Sequence, residues 1–181
     1  MGEIKKHQPV KLIIGFIYKE KAFFDKAKAQ FIRKFGPIDF ESREIAFCHT
    51  DYYEKEFGKD LIRSFVSFKK LISPRELPGI KILTNKIEKK LSHRSHRRIN
   101  IDPGYIELSK LVLASTKNFF HRIYLNKGIF LEVTLFFKDK TFQSWDWTFP
   151  DYKTPEYIEI FNHIRHIYAN QKSLMEWNLN I

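Results

Sequence analysis

Arg97-Arg98-Ile99-Asn100-Ile101-Asp102-Pro103-Gly104-Tyr105 decides how the rest of the chain is read. Ile99 and Ile101 alternate with Arg98, Asn100 and Asp102 at the two-residue period of a strand. Asp is a favoured helix N-cap. Pro is favoured at the first helical position, where its missing N–H leaves nothing unpaired. The stretch therefore predicts a strand that hands over at Asp102 to a helix reaching Ser115. Backbone N–H groups and the positive dipole end at such a point attract an anion, so Asn100, Asp102 and Tyr105 become candidate site residues. A cap with no further role is the plainer alternative.

Downstream, Ile129, Leu131, Val133, Leu135 and Phe137 alternate with Phe130, Glu132, Thr134 and Phe136, the pattern of a strand with one face buried. His121 to Leu125 reads the same way. A three-residue loop, Asn126-Lys127-Gly128, keeps both apolar sets on one face, with Gly128 left-handed. The same parity through Lys138-Asp139-Lys140 sets Thr134 opposite Ser144. One face then carries the row Arg122–Glu132–Asp146, and the other carries Ile123, Leu131, Val133, Trp145 and Trp147. The row reads as an ordinary cross-strand ion pair, or as two carboxylates beside an Arg with one pKa raised for acid chemistry.

Upstream, Lys11 to Tyr18 reads as a buried strand. Phe24, Ala27, Phe31 and Phe35 mark an amphipathic helix stopped by Gly36-Pro37. Ile45 to Tyr53 and Arg63 to Phe68 read as strands. Ser73-Pro74-Arg75-Glu76 is a capping box for a helix that Pro78-Gly79 should bend or interrupt. Thr154 and Pro155 open a last helix that buries Tyr157, Ile160, Phe161, Ile164 and Tyr168. The fold class is α+β. A ferredoxin-like βαββαβ core is extended by a helix, a three-stranded antiparallel meander and a C-terminal helix. Residues 1–181 form one domain, ordered over about 9–171, with a loose C-terminal tail.

The segments NIDPGY, KLVLAST, HRIYL, EVTL and WTFPDY, with the earlier PVKLIIG, FGPID, TDYY and FVSF, resemble a bacterial family known as a domain of unknown function, catalogued as 4416. The resemblance runs from Pro9 to about Tyr168. In that family the counterpart of WTFPDY more often has Tyr where this chain has Phe149, and Asp146 lies outside the family's motifs. The resemblance implies that polar positions in these segments matter without naming an activity. A GTP-binding label attached to some such proteins finds no G-x-x-x-x-G-K-[ST] here, since Gly58-Lys59-Asp60 lacks the loop and the hydroxyl.

Composition sets the outer bounds. With 32 Lys+Arg against 21 Asp+Glu the net charge is +11, which favours anionic partners. The N-terminus is polar and no apolar run approaches a membrane span, so a cytoplasmic protein without membrane contact is expected. The single Cys48 sits in an apolar strand, where a thiol is usually inert core, and excludes an internal disulfide. His49 with Asp51, and His163 with His166, are two ligands at most, so no metal site is assigned.

The polar residues that remain are Thr50, Asp51, Tyr52, Tyr53, Asn100, Asp102, Tyr105, Lys110, His121, Arg122, Glu132, Asp151 and Tyr152. From them Asp102, His121 and Glu132 are candidate proton-transfer groups, and Asn100, Tyr105, Lys110 and Arg122 candidate ligand contacts. The expected function is binding or processing of a small phosphate- or carboxylate-bearing ligand, a class that includes nucleotides, without a P-loop. The alternative is a nucleic-acid module using Arg94, Arg97 and Arg98. The sequence specifies no cofactor, reaction or oligomeric state.

Overall fold

The computed structural model describes the chain apart from residues 1, 5, 49–55, 57, 95 and 179–181, and gives 175–178 as backbone alone. The expected roles of His49, Thr50, Asp51, Tyr52 and Tyr53 lie outside the described residues. The described elements are β1 (Lys11–Tyr18), α1 (Lys21–Phe35), β2 (Ile38–Glu41), β3 (Ile45–Phe47), β4 (Leu61–Phe68), α2 (Leu77–Leu91), β5 (Ile99–Ile106), β6 (Lys110–Ser115), β7 (Ile123–Asn126), β8 (Ile129–Lys138), β9 (Thr141–Ser144) and α3 (Pro155–Asn178). Mixed helices and one large antiparallel sheet make the protein α+β.

All eight residues of β1 are buried, as a strand covered on both faces requires. The sheet runs β2–β4–β1–β5–β6–β8–β7, with β3 on β4 and β9 on β8. Every pairing is antiparallel. Alternate residues of β1 enter two cores. Leu12, Ile14, Phe16 and Tyr18 join Phe24, Phe31 and Ile87 beneath α1 and α2, whereas Ile13 joins Phe65, Tyr157 and Phe161 beneath α3.

Three local expectations change. Pro78 falls in the first turn of α2, where a missing N–H is harmless, so the helix runs unbroken. Strand β3 ends at Phe47, and Cys48 beyond it is exposed rather than core. Helix α3 continues to Asn178, past the Gln171 at which the ordered core was expected to end.

The larger correction is at Asp102. No helix starts there: Asp102, Pro103 and Gly104 lie inside β5, and Lys110–Ser115 is a second strand, β6. Residues good at capping a helix are here solving a different problem. The β5–β6 ladder covers only Gly104↔Leu113, Tyr105↔Val112 and Ile106↔Leu111. Before Gly104 the two strands part. Ile101 turns its N–H to Glu88 Oε1 (2.6 Å) and its carbonyl to Lys81 Nζ (3.1 Å), so side chains of α2 replace the missing strand. Two residues on, Pro103 presents the same edge, where lacking an N–H costs nothing. Gly104 marks the closure of the ladder, since a Cβ there would lie 2.4 Å from the Val112 carbonyl oxygen.

The meander also departs from strict alternation. Leu111 pairs with Leu135 but Val112 with Val133, leaving Thr134 as a bulge. Parity flips across it, so Leu131 and Val133 pack toward α1 and α2 while Leu135 packs under α3. Ile123 lies opposite Leu131 as derived, but a second bulge puts Asn126, not Leu125, opposite Ile129. Lys127 and Gly128 form a two-residue turn with φ of 51° and 75°. Asp139 and Lys140 do the same at 51° and 66°, which sets Leu135, not Thr134, opposite Ser144. Strand β9 stops at Ser144, so Asp146 is exposed and the expected three-residue row loses its last member. Nor is Ile123 on a buried face, at 75 % exposure on the sheet's edge strand.

Candidate functional site

Where β5 and β6 part, a cleft of about 650 Å³ opens. Residues from β4, α2, β5, β6, β8 and the segment after β9 line it. Strand β5 contributes Asn100 and Asp102, whose shared parity holds as derived. Asn100 Nδ2 donates to Asp102 Oδ2 at 2.6 Å. Tyr105 has the opposite parity and lies in the core beneath α2, where burial pushes its phenol up to about 12. It does not line the cleft, and the reason is the missing helix: continuing the strand sends residue 105 to the far face.

Arg122 and Glu132 reach the same cleft from the meander. Glu132 is 2 % exposed. Its Oε2 accepts from Arg122 Nε at 2.8 Å and contacts His121 Nε2 at 3.2 Å, while Oε1 accepts from Thr134 Oγ1 at 3.0 Å. Arg122 Nη1 also donates to Ser115 Oγ (3.2 Å) and the Lys117 carbonyl (3.0 Å), which ties the β6 end to the start of β7. These bonds make Glu132 the group that positions Arg122. His121 stands behind Glu132, outside the cleft lining, with its ring stacked on Trp147 at 5.5 Å between centroids. Lys110 sits at the other end of β6, paired with Glu107 at 3.2 Å, and does not take part.

Sequence reading missed several lining residues. Arg63, in the apolar strand Leu61–Phe68, is 3 % exposed. Its Nη2 donates to Asp151 Oδ2 at 2.8 Å and its Nη1 lies 3.9 Å from Asp102 Oδ2. The rings of Phe47, Phe65, Tyr152 and Tyr157 surround the guanidinium at 5.2–6.0 Å. Gly15 makes room for it, since a Cβ there would lie 3.1 Å from Nη1. Among the described residues Arg63 Nε and Nη1 have no hydrogen-bond partner. Lys81 and Glu88 come from α2. The missed signals were a lone charge inside a buried-strand pattern, and charged residues at i, i+7 beside the Ile80–Ile87 stripe.

The electrostatics follow from burial. Burial would raise the Asp102 carboxyl, but Lys81 at 3.3 Å and Arg63 outweigh it and hold it below the usual range. Glu88 goes the other way, pushed up to about 7 chiefly by burial, with the charge of Asp102 adding and Lys81 opposing. Burial raises the Tyr152 phenol well above its ordinary value, so it stays neutral. The lining carries five cationic side chains, Arg63, Lys81, Arg97, Lys117 and Arg122, against the carboxylates Glu88, Asp102, Glu132 and Asp151.

The basic run does not stand apart as an open patch. Arg97 bonds Glu56 and, through Nη1, Asn100 Oδ1 at 3.1 Å, and lies 3.5 Å from Glu88. Arg98 bonds Glu20 at 2.5 Å, and Arg94 is exposed in a left-handed turn with φ of 46°. His163 lies against Phe40 and His166 bonds Asn170, so that pair does not converge on one point. Among the described residues no helix is long and apolar enough to cross a membrane.

Neither curated proteins nor solved structures yield a match to this chain. Residues 8–168, which supply every lining residue of the cleft, match one family along their whole length. The chain belongs to the family described as Domain of unknown function (DUF4416).

Proposed function

We propose that the cleft between β5 and β6 binds a small ligand carrying a phosphate or carboxylate, and that Arg122 is its anion contact. One observation carries this. The Arg122 side chain is 10 % exposed and spends Nε and Nη1 on Glu132, Ser115 and Lys117, while Nη2 makes no hydrogen bond among the described residues. A guanidinium clamped in this way presents a fixed donor edge to a planar or tetrahedral anion. The excess of cationic over carboxylate side chains in the lining supports the same reading. A nucleotide falls within this class without a P-loop, and a cytoplasmic setting fits a ligand of this kind.

The order β2–β4–β1–β5, with helices after β1 and β4, supports a ferredoxin-like split βαβ unit as the first half of the protein. On this reading the cleft arises where the second half, beginning at β6, fails to pair with the full length of that unit.

Thermal unfolding of the full chain with inorganic phosphate, acetate and succinate tests the site. A ligand of the native state raises the melting temperature by mass action. The expected result is a saturable rise with at least one anion that Arg122→Gln abolishes. An equal rise in wild type and variant, or none with any anion, would remove the proposal. A response that falls log-linearly with salt would point to a polyanion instead.

A further inference from the structure

The cleft has a second end, and its charge balance differs from that around Arg122. Two cations and two carboxylates meet there: Arg63 with Asp151 at 2.8 Å and Asp102 at 3.9 Å, and Lys81 with Asp102 at 3.3 Å. Their formal charges cancel. A second anionic group would therefore face Asp102 and Asp151 with no surplus cation to hold it.

What this end lacks is hydrogen bonds. Among the described residues the buried donors Arg63 Nε and Nη1 make no hydrogen bond, with only Asp102 at ion-pair distance from Nη1, a costly condition inside a protein. The carboxylates beside them have acceptor capacity to spare. Asp102 takes one bond from Lys81 on Oδ1 and one from Asn100 on Oδ2, and Asp151 Oδ2 takes one from Arg63. A carboxylate can accept about four. Asp102 is held ionised by Lys81 and Arg63, so it can only accept. A hydroxyl can accept from a guanidinium and donate to a carboxylate in one place. Several such groups on adjacent carbons would satisfy Arg63, Asp102 and Asp151 together. The rings of Phe47, Phe149 and Tyr152 give the C–H faces of such a molecule apolar surfaces to lie against.

We infer that the ligand is a polyol with a single anionic end, a sugar phosphate or a sugar acid. Its anionic group lies on Arg122 and its hydroxyls on Arg63, Asn100, Asp102 and Asp151. This rests on the anion site proposed above and goes beyond it by assigning the neutral end. Two separate observations stand behind the two ends: the uncommitted Nη2 of Arg122, and the Arg63 nitrogens that make no hydrogen bond among the described residues in a charge-balanced surrounding.

Calorimetric titration of the full chain separates the two claims. The probes are inorganic phosphate, butyl phosphate, hexanoate, succinate, glycerol 3-phosphate, ribose 5-phosphate, glucose 6-phosphate and gluconate. At least one hydroxylated anion should bind about tenfold or more tighter than its alkyl counterpart, because a site built for hydroxyls rejects analogues that lack them. Asp102→Asn takes one carboxylate from Lys81 and Arg63 and should bring the hydroxylated probe down to the affinity of its alkyl counterpart. If Asp102→Asn does not fold, Asn100→Ser serves the same comparison. Alkyl and hydroxylated anions binding equally, with both dependent on Arg122, would overturn the polyol inference and leave the anion site standing. Succinate binding more tightly than every hydroxylated probe would overturn it as well, by placing a charge at the Arg63 end. No binding by any probe would remove both claims. A phosphate arm that succeeds where gluconate fails selects the sugar phosphate, and the reverse selects the sugar acid.

Discussion

Arg63 and Arg122 are both nine-tenths buried or more on one cleft, yet they are held in opposite ways. Arg63 is walled by four aromatic rings, hydrogen-bonded to Asp151 and at ion-pair distance from Asp102, with no hydrogen bond at Nε or Nη1 among the described residues. Arg122 is fixed through two nitrogens to a carboxylate, a hydroxyl and a carbonyl. The first arrangement enforces charge neutrality inside an apolar shell; the second fixes the direction of a donor edge. The cost of burying a guanidinium can thus be met by surrounding it or by clamping it. Clamping fixes the direction in which the group meets an anion, whereas surrounding leaves a charge-balanced donor suited to neutral acceptors.

Loss of Arg63 should have the largest effect on stability. Arg63→Leu strands the buried Asp151 carboxylate, and loss of one member of a buried pair costs about 3–5 kcal/mol. Urea unfolding should report a drop of that size. A drop well under 1 kcal/mol would mean that Asp151 does not depend on Arg63.

The two α2 contacts to β5 differ in how pH acts on them. Glu88 has its folded pKa raised to about 7, above its unfolded value. The folded state then binds more protons between the two values. The stability this contributes is present below the unfolded pKa and is lost as pH rises through about 7. The loss amounts to about 3 kcal/mol at most. Asp102, held low by Lys81 and Arg63, has the opposite sign: its contribution is present at neutral pH and is lost in acid. Glu88→Gln should flatten the unfolding free energy between mildly acidic and neutral pH while preserving the loss in strong acid. An unchanged slope would show that Glu88 titrates normally.

At the other end, Arg122→Ala leaves Glu132 with only His121 and Thr134. The lost charge-assisted bonds should lower stability by about 1–3 kcal/mol, read from the urea midpoint at constant slope. The change should be smaller than for Arg63→Leu, because Glu132 keeps two partners. A larger loss than for Arg63→Leu would reverse the ranking of the two ends.

The smallest effect belongs to Asp146. It is exposed and off the strand ladder, so Asp146→Ala should change stability by no more than about 0.5 kcal/mol. A clear loss would reinstate the three-residue row of the sequence reading.

These residues also show what a sequence can reveal. Helices α1 and α3 were legible because their apolar residues recur at helical spacing beside recognisable ends, Gly36 and Thr154. The shared face of Asn100 and Asp102, and the meeting of Arg122 with Glu132, followed from strand parity alone. Asp102-Pro103-Gly104 misled because its residue types suit a helix cap and an interrupted ladder equally well. Only the approach of Val112 to Gly104 separates the two, and that contact is tertiary. Bulges at Thr134 and Leu125 were illegible for the same reason: a strand's alternation does not record where its partner skips a residue. Lys81 and Glu88 were hidden on a helix whose polar face reads as solvated until a split sheet is placed against it.

The proposed role of Arg122 is that of a fixed anion contact on the cleft. Its most direct test is a phosphate titration of protein carrying 15N-labelled arginine, followed at the guanidinium Nε–H resonances and assigned with Arg122→Gln. A saturable shift at Arg122, with exposed Arg33 and Arg75 unmoved, is the predicted result. A uniform drift of every arginine with ionic strength, or a silent Arg122 beside a shifting surface arginine, would contradict it.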